Sequence, residues 1–487
     1  MDAPVARRLD FVVDTRPLWV ILLGRSGRPL LLGATALLYW LVATADPPAG
    51  LTPAGLRAIA TFAVCLVLWV SNALPLMITS LLAIILLPLG GVLPAKEAYG
   101  LFGNEAVFFI LGVFILAACI MRSGLSARVA LLILRRFGGS PRQLLLSIFL
   151  MTALLSFFMS EHAVAALSFP IIVEIVGVLR LRPHRSNYGR ALFLAMAWGS
   201  TIGGVGTLLG GARAPLALGI LQEATGESFS FLQWSVACVP ISLLMLIAGF
   251  TLLSLFYPID VPSIRDANAM LQERAMALGR MSYEERAIAV VMLCTLAGWI
   301  ILGEEYGLAN VALIAVIVLF AANLASWHAV EQYVNWGVIL MYGGAIALGT
   351  AVSKTGAATW ISQHTISTWA TGPEAAVAII SAMSLMLTEA ISNSAVVALM
   401  MPVTLGVAED FAMPARIMAL VTAVPAGLAF AFPIGTPANA IAYSSGYLRM
   451  RDIALPGAAL AVTAWCVFNL VANFYWPLIG IDMRIAP

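Results

Sequence analysis

Apolar runs of about 20 residues recur along this 487-residue chain, from Pro29 towards its C-terminus. Each run is long enough to cross a hydrocarbon core of roughly 30 Å, because an α-helix rises about 1.5 Å per residue. The composition agrees, since 61% of the residues are hydrophobic and 10% are charged, against roughly 45–50% and about 25% in soluble domains. The sequence therefore predicts an all-α polytopic membrane protein.

The arginines predict how the chain threads the membrane, because cytoplasmic loops keep an excess of Lys and Arg. Five arginines between positions 7 and 28 predict a cytoplasmic N-terminal leader over residues 1–28, which lacks the features of a signal peptide. The C-terminus is predicted to be periplasmic. Of the 26 basic residues 24 are Arg, which is typical of GC-rich bacterial genomes, so we expect a bacterial inner membrane. Uninterrupted spans are predicted at 29–46, 55–74, 76–94, 105–122, 232–256, 287–303, 308–326 and 334–353.

A charged pair interrupts the apolar stretch 141–178, where the sequence reads "SFFMSEHAVAALSFP". Arginines flank both ends of the stretch, so both ends are expected in the cytoplasm. Its 38 residues suffice for a re-entrant hairpin of two half-helices, with Ser160, Glu161 and His162 at the turn. Two ordinary spans are the alternative, and they would need a real loop between them.

The next apolar stretch, 190–222, contains "GGVGTLLGGARAP". Glycine and proline at that density break a helix. A broken span is tolerated in lipid where protein or a water-filled cavity covers the exposed backbone. A polar, amphipathic segment at 258–286 then divides the chain near its middle and is predicted to be a cytoplasmic linker.

The second half of the chain repeats these features. "LTEAISNSAVVALMMP", residues 387–402, aligns without a gap on "LSFFMSEHAVAALSFP", residues 155–170, and "FPIGTPANAIA" takes the place of "TLLGGARAPLA". The flanks of the second stretch are neutral to acidic, so its hairpin is expected to open outside. The sequence predicts two inverted repeats, as in secondary transporters whose site lies near the midplane. The predicted ranges are 29–257 for the first repeat and 287–487 for the second, with a second hairpin at 373–410 and a second broken helix at 415–446.

At "SNS" and "GTPAN" in the second repeat, the chain resembles the divalent anion:sodium symporter (DASS) family, which carries dicarboxylates, citrate and sulfate. The resemblance covers nearly the whole chain. It implies about 11 transmembrane helices and two re-entrant hairpins, divided into scaffold and transport domains. It also implies a homodimer, an elevator-like movement, a small anionic substrate and Na⁺ as the coupling ion, without any other cofactor.

The family's functional residues transfer well to the second repeat. Hydroxyl groups, amides and helix N-termini bind an anion, and unwound carbonyl groups bind Na⁺. The substrate-binding residues implied there are Ser392, Asn393, Ser394, Thr436, Pro437 and Asn439. The implied sodium ligands are Thr388, Ile391, Asn393 and Gly435.

The first repeat departs from the family pattern, because Glu161 and His162 replace Asn and Thr and an arginine, Arg213, stands in the break. The transferred substrate residues are Ser160, Glu161, His162, Gly211 and Arg213, and the transferred sodium ligands are Ser156, Ser160 and Gly210. A buried structural network of Glu161, His162 and Arg213 is one interpretation, although intramembrane charges are usually functional.

Three functional hypotheses stay open for these ionisable residues. Arg213 binds the substrate anion while Glu161 balances its charge. Alternatively, Glu161 or His162 carries a proton in place of the first sodium ion. In the third, Glu161 pairs with the ammonium group of a zwitterionic substrate. Glu389, ahead of the second tip, is interpreted as a helix-terminal charge or a cavity residue.

Other classes of function find less support in the sequence. Adjacent residues such as Ser160, Glu161 and His162 do not readily form a nucleophile–base chain, so we do not expect an enzyme. The sequence contains no Gly-Lys-Ser/Thr phosphate-binding loop for an ATP-driven pump. No basic tract indicates a nucleic-acid partner, and membrane lipid is the expected surrounding. A channel built on the same repeats stays an alternative to a transporter.

Overall fold

A computed structural model describes residues 18–137 and 139–482 of the chain. Over these ranges its regular elements are α-helices and short 3₁₀ helices, without strands. Outside these ranges lie residues 1–17 of the predicted leader and the final five residues, which include the C-terminus predicted to be periplasmic. The all-helical prediction is confirmed.

The first helix, α1, spans Leu18–Ala43 and so begins well ahead of the predicted start at residue 29. The apolar sequence "LWVILLG" precedes Arg25, and the helix continues through the arginines and Pro29. The following helices of the first half are α2 (Pro53–Ser71), α3 (Leu76–Leu89), α4 (Ala95–Gly100), α5 (Glu105–Arg122), α6 (Leu125–Phe137), α7 (Pro141–Ser156), α8 (Glu161–Val178), α9 (Asn187–Gly203), α10 (Arg213–Thr225) and α11 (Phe231–Phe256).

The linker contains one helix, α12 (Arg265–Ala277), and the second half follows it. Short 3₁₀ helices lie at Leu101–Gly103, Glu331–Tyr333, Pro425–Gly427 and Trp476–Ile479. The α-helices of the second half are α13 (Tyr283–Ile301), α14 (Gly303–Tyr306), α15 (Leu308–Ala321), α16 (Trp327–Val330), α17 (Trp336–Lys354), α18 (Ala357–His364), α19 (Ile366–Trp369), α20 (Pro373–Thr388), α21 (Asn393–Asp410), α22 (Ala415–Ala423), α23 (Pro437–Ser444) and α24 (Met450–Phe474).

Helix lengths repeat between the two halves of the chain. Helices α2 and α13 both have 19 residues, and α3 and α15 both have 14. Helices α7 and α20 both have 16 residues, and α8 and α21 both have 18. Four pairs of helices therefore have equal lengths in the two halves, although the second half also contains short helices, such as α14 and α19, without a counterpart in the first.

Several of these helices are suited to a bilayer. Within the described ranges, six helices are long and apolar enough to cross a membrane, and a seventh crossing is possible if α18–α20, bent by 103°, is one span. Shorter apolar helices of 10–17 residues accompany them, including α3, α7 and α15. The chain is thus a multi-pass membrane protein, and the figure of about 11 spans stays a prediction.

The linker is held to the first half by Arg128 of α6. Its guanidinium donates to the backbone carbonyls of Leu278 and Gly279, just after α12, and to both carboxylate oxygens of Glu285 at 2.8 and 3.0 Å. This pairing lowers the pKa of the Glu285 carboxyl. Glu285 also accepts a hydrogen bond from the backbone of Ser282, which caps α13. These contacts hold the end of the linker and the start of α13, with which the second half begins, against α6.

Small residues let the hairpin helix α7 pack closely along α9. A methyl group on Gly203 would lie 2.2 Å from the Ala153 carbonyl oxygen, and one on Gly199 would lie 2.3 Å from the Thr152 hydroxyl. Close helix approach through glycine is a common packing mode in membranes. It brings the end of α9, where the first break starts, alongside α7.

Candidate anion-binding site

Each hairpin turns through a four-residue connection, residues 157–160 in the first repeat and 389–392 in the second. We call this connection, together with the first two residues of the following helix, the tip: residues 157–162 and 389–394. The last residue of each connection, Ser160 or Ser392, is the N-cap of the following helix and accepts a hydrogen bond from the backbone N–H of Ala163 or Ala395. The sequence analysis expected Glu161 and His162 within the turn, but both lie in the first turn of α8. The serine cap explains the difference, because a helix begins directly after its N-cap.

Each broken span contains a non-helical segment, which we call its break: residues 204–212 between α9 and α10, and residues 428–436 ahead of α23. The first tip contacts the first break, since the Glu161 N–H donates to the Gly210 carbonyl at 2.9 Å. Near the second tip, the Thr388 hydroxyl donates to the Ala426 carbonyl at 2.7 Å, just ahead of the second break. In addition, the Tyr342 hydroxyl on α17 donates to the carbonyl of Ala212.

The two tips meet at Glu161. The Asn393 side-chain amide, at the start of α21, donates to Glu161 Oε1 at 3.2 Å. The Arg213 guanidinium, at the start of α10, contacts Glu161 Oε2 through Nη1 at 3.3 Å. One carboxylate thus joins the first tip, the first break and the second tip.

Arg213 also bridges the two breaks. A methyl group on Gly211 would lie 2.3 Å from Arg213 Nη1, and one on Gly427, beside the second break, would lie 2.0 Å from Arg213 Nε. The side chain is therefore packed between two glycines from different repeats and is only 3% exposed. Among the residues that the structure describes, Arg213 Nη2 has no hydrogen-bond partner.

The residues of the second repeat form their own hydrogen-bond network. The Thr388 hydroxyl contacts Asn393 Oδ1 at 2.8 Å, and Asn439 Nδ2 donates to the carbonyls of Ala429 and Phe432 across the second break. Asn439 Oδ1 is buried and has no hydrogen-bond partner within the described ranges. Ser156, which occupies the position of Thr388 in the first repeat, likewise has a buried hydroxyl oxygen without a partner there.

Glu389 is the residue that the sequence analysis left without an assigned role. It follows α20 directly and is 8% exposed. Its carboxylate accepts hydrogen bonds from the backbone N–H groups of Phe430, Ala431 and Phe432 at 2.7–3.0 Å. A Glu just ahead of the "SNS" motif was the available signal, but its backbone partners lie about 40 residues further along the chain and no local pattern points to them.

The predicted site residues fall into three groups by exposure. Those that are buried are Ser156, Glu161, Gly210, Gly211, Arg213, Thr388, Ile391, Asn393, Gly435, Thr436 and Asn439. Half-buried ones are Ser160, Ser392 and Ser394. His162 and Pro437 are exposed, and His162 does not take part in the hydrogen bonds that join Glu161, Arg213 and Asn393.

Helix N-termini converge on this cluster. In the described structure α8 begins at Glu161, α10 at Arg213 and α21 at Asn393, and both Arg213 and Asn393 contact Glu161. Helix α23 begins at Pro437, and Thr436 caps it. A helix N-terminus carries about half a positive charge and exposes free N–H groups, so it favours anions. Such an arrangement is chemically suited to an anion, in a multi-pass membrane protein.

Known proteins with the same sequence pattern support this class. Residues 30–481 match the family described as "Sodium:sulfate symporter transmembrane region", and the chain belongs to that family. It is 30% identical to the sodium-dependent dicarboxylate transporter SdcS of Staphylococcus saprophyticus, over 93% of this chain and 91% of that protein. It is 28% identical to SdcS of Staphylococcus aureus (strain bovine RF122), over 85% of each. Family membership indicates a transporter rather than an enzyme.

A solved structure has a similar fold. The YdaH transporter of Alcanivorax borkumensis covers 94% of this chain with a TM-score of 0.53 and 15% sequence identity, and 98% of that chain is covered. At this identity the likeness bears on the fold alone. The predicted membership of the DASS-type symporters and the predicted fold class are therefore both confirmed.

Proposed function

We propose that the chain is a secondary transporter that moves a small dianion, a dicarboxylate first of all, across the bacterial inner membrane by alternating access coupled to Na⁺. The observation that carries this proposal is the meeting of the two tips at Glu161, which is paired with Arg213. Family membership supports sodium-coupled anion transport, and the names of the relatives SdcS support a dicarboxylate.

Arg213 is the proposed anion-binding group of the first repeat. Its Nη1 is engaged with Glu161, whereas Nη2 is buried and unpartnered among the described residues. An unsatisfied buried N–H donor is costly, and a guanidinium suits the planar oxygens of a carboxylate. A substrate oxygen at Nη2 would remove that cost. Ser160, Gly211, Ser392, Asn393, Ser394, Thr436, Pro437 and Asn439 are the proposed partners around it.

The second tip is the proposed sodium site. Thr388, Ile391, Asn393 and Gly435 are its proposed ligands, and the close approach of Gly435 to the Thr388 carbonyl supports it: a methyl group on Gly435 would lie 3.0 Å from that oxygen. At the corresponding site of the first repeat, with Ser156, Ser160 and Gly210, the Gly210 carbonyl already accepts a hydrogen bond from Glu161. Na⁺ coupling is therefore proposed at the second tip.

A second candidate is proton coupling through Glu161. A carboxyl that is 5% exposed inside the transport site is suited to carry a proton, because burial makes its charge expensive. Glu161→Gln tests it: if the wild type takes up substrate in a pH-dependent manner and the variant keeps the same pH profile, Glu161 is not the proton carrier. His162→Gln, in the same assay, tests the exposed neighbour.

The repeats are proposed to be inverted, with 29–257 and 287–487 forming the two units and both hairpins re-entrant. Hairpin tips that meet, while the flanks of the two hairpins carry different charge, support this arrangement. Single cysteines introduced at Arg142 and Glu374, ahead of the two hairpins, would be labelled by an impermeant maleimide from opposite sides of the membrane. Labelling of both from one side would contradict the inversion.

The assembly and orientation are also proposed. We infer a homodimer with a cytoplasmic N-terminus and a periplasmic C-terminus, which the DASS resemblance and the arginine distribution support. Native mass spectrometry from detergent gives the oligomeric state, and a monomer at all concentrations would contradict the dimer. Phosphatase and fluorescent-protein fusions at each terminus report the orientation.

Uptake by purified protein in liposomes tests the function. Succinate, citrate, sulfate, phosphate and aspartate are each offered with an inward Na⁺ gradient or with K⁺ in its place. We expect saturable succinate uptake that requires Na⁺ and supports counterflow; flux without counterflow would indicate a channel. Arg213→Lys should abolish uptake, whereas the matched Arg416→Lys, a residue that lies over the Phe229 ring, should retain it. No uptake or stabilisation with any anion would refute the proposal.

A further inference from the structure

We propose that Glu389 is a positioning residue of the cation site at the second tip. Its carboxylate holds the backbone of the second break in place and supplies the negative charge beside the coupling cation. This inference rests on the proposed function, because it concerns the Na⁺ of that same site, and it adds a residue that the sequence analysis did not assign to any ligand.

The Glu389 carboxylate is held by the backbone of the second break. Oε1 accepts from the N–H groups of Phe430 at 2.7 Å and Ala431 at 3.0 Å, and Oε2 accepts from Ala431 and Phe432, both at 3.0 Å. Both oxygens are thus fixed by consecutive amides of an unwound segment. Charge-assisted bonds of this kind are among the stronger hydrogen bonds in proteins. They hold residues 430–432 directly beside the end of α20.

The Glu389 carboxylate lies close to two of the proposed sodium ligands, Thr388 and Gly435. A methyl group on Gly435 would lie 3.0 Å from the Thr388 carbonyl oxygen and 3.4 Å from Glu389 Oε2. The carboxylate oxygen and a backbone carbonyl oxygen therefore border the same small volume beside Gly435. Hard cations prefer oxygen ligands, and unwound carbonyl groups of broken helices bind Na⁺ in secondary transporters.

The two tips differ in how their buried carboxylates are balanced by charge. Glu161 of the first repeat has a cationic partner in Arg213, with 3.3 Å between Nη1 and Oε2. Within the described ranges, none of the ion pairs involves Glu389. A buried carboxylate without a counter-charge is costly, and amide dipoles offset only part of that cost. A monovalent cation at the second tip would balance Glu389 as Arg213 balances Glu161.

The first repeat also shows that holding a tip to its break does not require a charge. Phe157 occupies the position of Glu389 there. Its ring packs on Gly206, where a methyl group would lie 2.6 Å from Cε1, and its carbonyl accepts from the Thr207 hydroxyl at 2.8 Å. An apolar ring and a neutral hydrogen bond suffice for attachment. The charge of Glu389 therefore needs a reason other than attachment, and a cation supplies one.

The test is a Na⁺ titration of the purified full-length protein, followed by thermal unfolding at constant ionic strength with choline in place of Na⁺ and with succinate present. Glu389→Gln keeps the size of the side chain and removes its charge. We expect the Na⁺ concentration for half-maximal stabilisation to rise at least about tenfold, because a charge close to the cation is lost. The matched control is Glu409→Gln, at the exposed end of α21, which should titrate like the wild type.

A purely structural role predicts a different result. In that case Glu389→Gln lowers the unfolding temperature at every Na⁺ concentration and leaves the half-maximal concentration unchanged, which would overturn the proposal. If Glu389→Gln does not fold, Glu389→Asp replaces it, since it keeps the charge and shortens the reach. We expect its half-maximal Na⁺ concentration to stay within about threefold of the wild-type value, and a tenfold rise would overturn the role of the charge.

Different experimental results would refute the role of Glu389 and the proposed function. Wild-type protein that is stabilised by Na⁺ together with succinate, and a Glu389→Gln variant with the same Na⁺ dependence, would refute the role of Glu389 alone. Wild-type protein without any Na⁺-dependent stabilisation or uptake, for all the anions offered, would refute the proposed function itself.

Discussion

The two hairpin tips have the same backbone and different chemistry. Both hairpins connect a 16-residue helix to an 18-residue helix through four residues, the last of which is a serine that caps the second helix. The first tip contains a carboxylate, Glu161, that pairs with Arg213, whereas the second contains an amide, Asn393, hydrogen-bonded to the Thr388 hydroxyl. The repeat therefore preserves the scaffold and leaves the charges free to differ.

The difference agrees with the proposed division in which the first repeat binds the anion and the second repeat binds the cation. A fixed guanidinium in the first repeat offers a permanent positive charge to an anion. The second repeat offers hydroxyl, amide and carbonyl groups, with Glu389 beside them, and such a site takes up and releases a mobile cation more readily. The comparison agrees with the proposal that the anion binds mainly at Arg213 and the cation at the second tip, and substitutions at equivalent positions test that division.

The largest effect is expected from Arg213→Met. It leaves the Glu161 carboxylate buried without its partner, and breaking a buried ion pair from one side typically costs about 3–5 kcal/mol. We expect a large drop in unfolding temperature in detergent and loss of succinate uptake. The double variant Glu161→Gln/Arg213→Met should recover most of the stability and none of the uptake; a double variant as unstable as the single one would contradict the pairing.

A smaller loss is expected from Gly427→Ala. The added methyl group would lie 2.0–2.5 Å from three atoms of the Arg213 guanidinium, and overpacking of this kind costs about 1–3 kcal/mol. Thermal unfolding and succinate affinity report the effect. The matched control is Gly177→Ala in α8, where no atom lies within 4 Å of the added group. Equal behaviour of the two variants would show that Arg213 does not pack on the second repeat.

Ser156 and Thr388 occupy equivalent positions and should respond differently. The Thr388 hydroxyl bonds to Asn393 and to the Ala426 carbonyl, whereas the Ser156 hydroxyl is buried without a partner among the described residues. Thr388→Val should therefore cost about 1–3 kcal/mol of stability and weaken the response to Na⁺. Ser156→Ala should be neutral or slightly stabilising. A Na⁺ titration in which Ser156→Ala is the weaker variant would reverse the assignment of the cation to the second tip.

The smallest effect is expected from His162→Ser, which gives the first tip the residue that the second tip has at Ser394. His162 is exposed and lies outside the Glu161 network, so the stability should change by no more than about 0.5 kcal/mol. Succinate uptake measured between pH 5.5 and pH 8 provides the functional readout. A collapse of uptake at every pH would show that His162 is an essential part of the site.

Much of the fold was predictable because lipid imposes strong rules. Long apolar runs, arginine clusters and breaks rich in glycine predicted the hairpins at 141–178 and 373–410, and the structure has helices at those bounds. Helix α1 begins at Leu18, ahead of the span predicted at 29–46, because arginines at a helix end do not prevent the helix from extending.

For the candidate site, the sequence predicted individual residues but not the contacts between them. The motif alignment singled out Glu161, Arg213 and Asn393, but the sequence did not indicate that the Asn393 amide meets Glu161, because the two lie 232 positions apart. The roles of Gly427 and Glu389 depend on contacts between segments that are distant in the chain. Such contacts follow from tertiary packing, and no local periodicity encodes them.

The proposed function requires that the two tips and Arg213 form one anion site, with a cation beside Gly435. The most direct test is an electron cryomicroscopy structure of the full-length protein with succinate and Na⁺. We expect succinate within hydrogen-bonding distance of Arg213 Nη2 and of Ser392–Ser394 in the second tip, with an ion between the Thr388 carbonyl and Gly435. Succinate bound away from Arg213, with Glu161 and Asn393 apart, would contradict it.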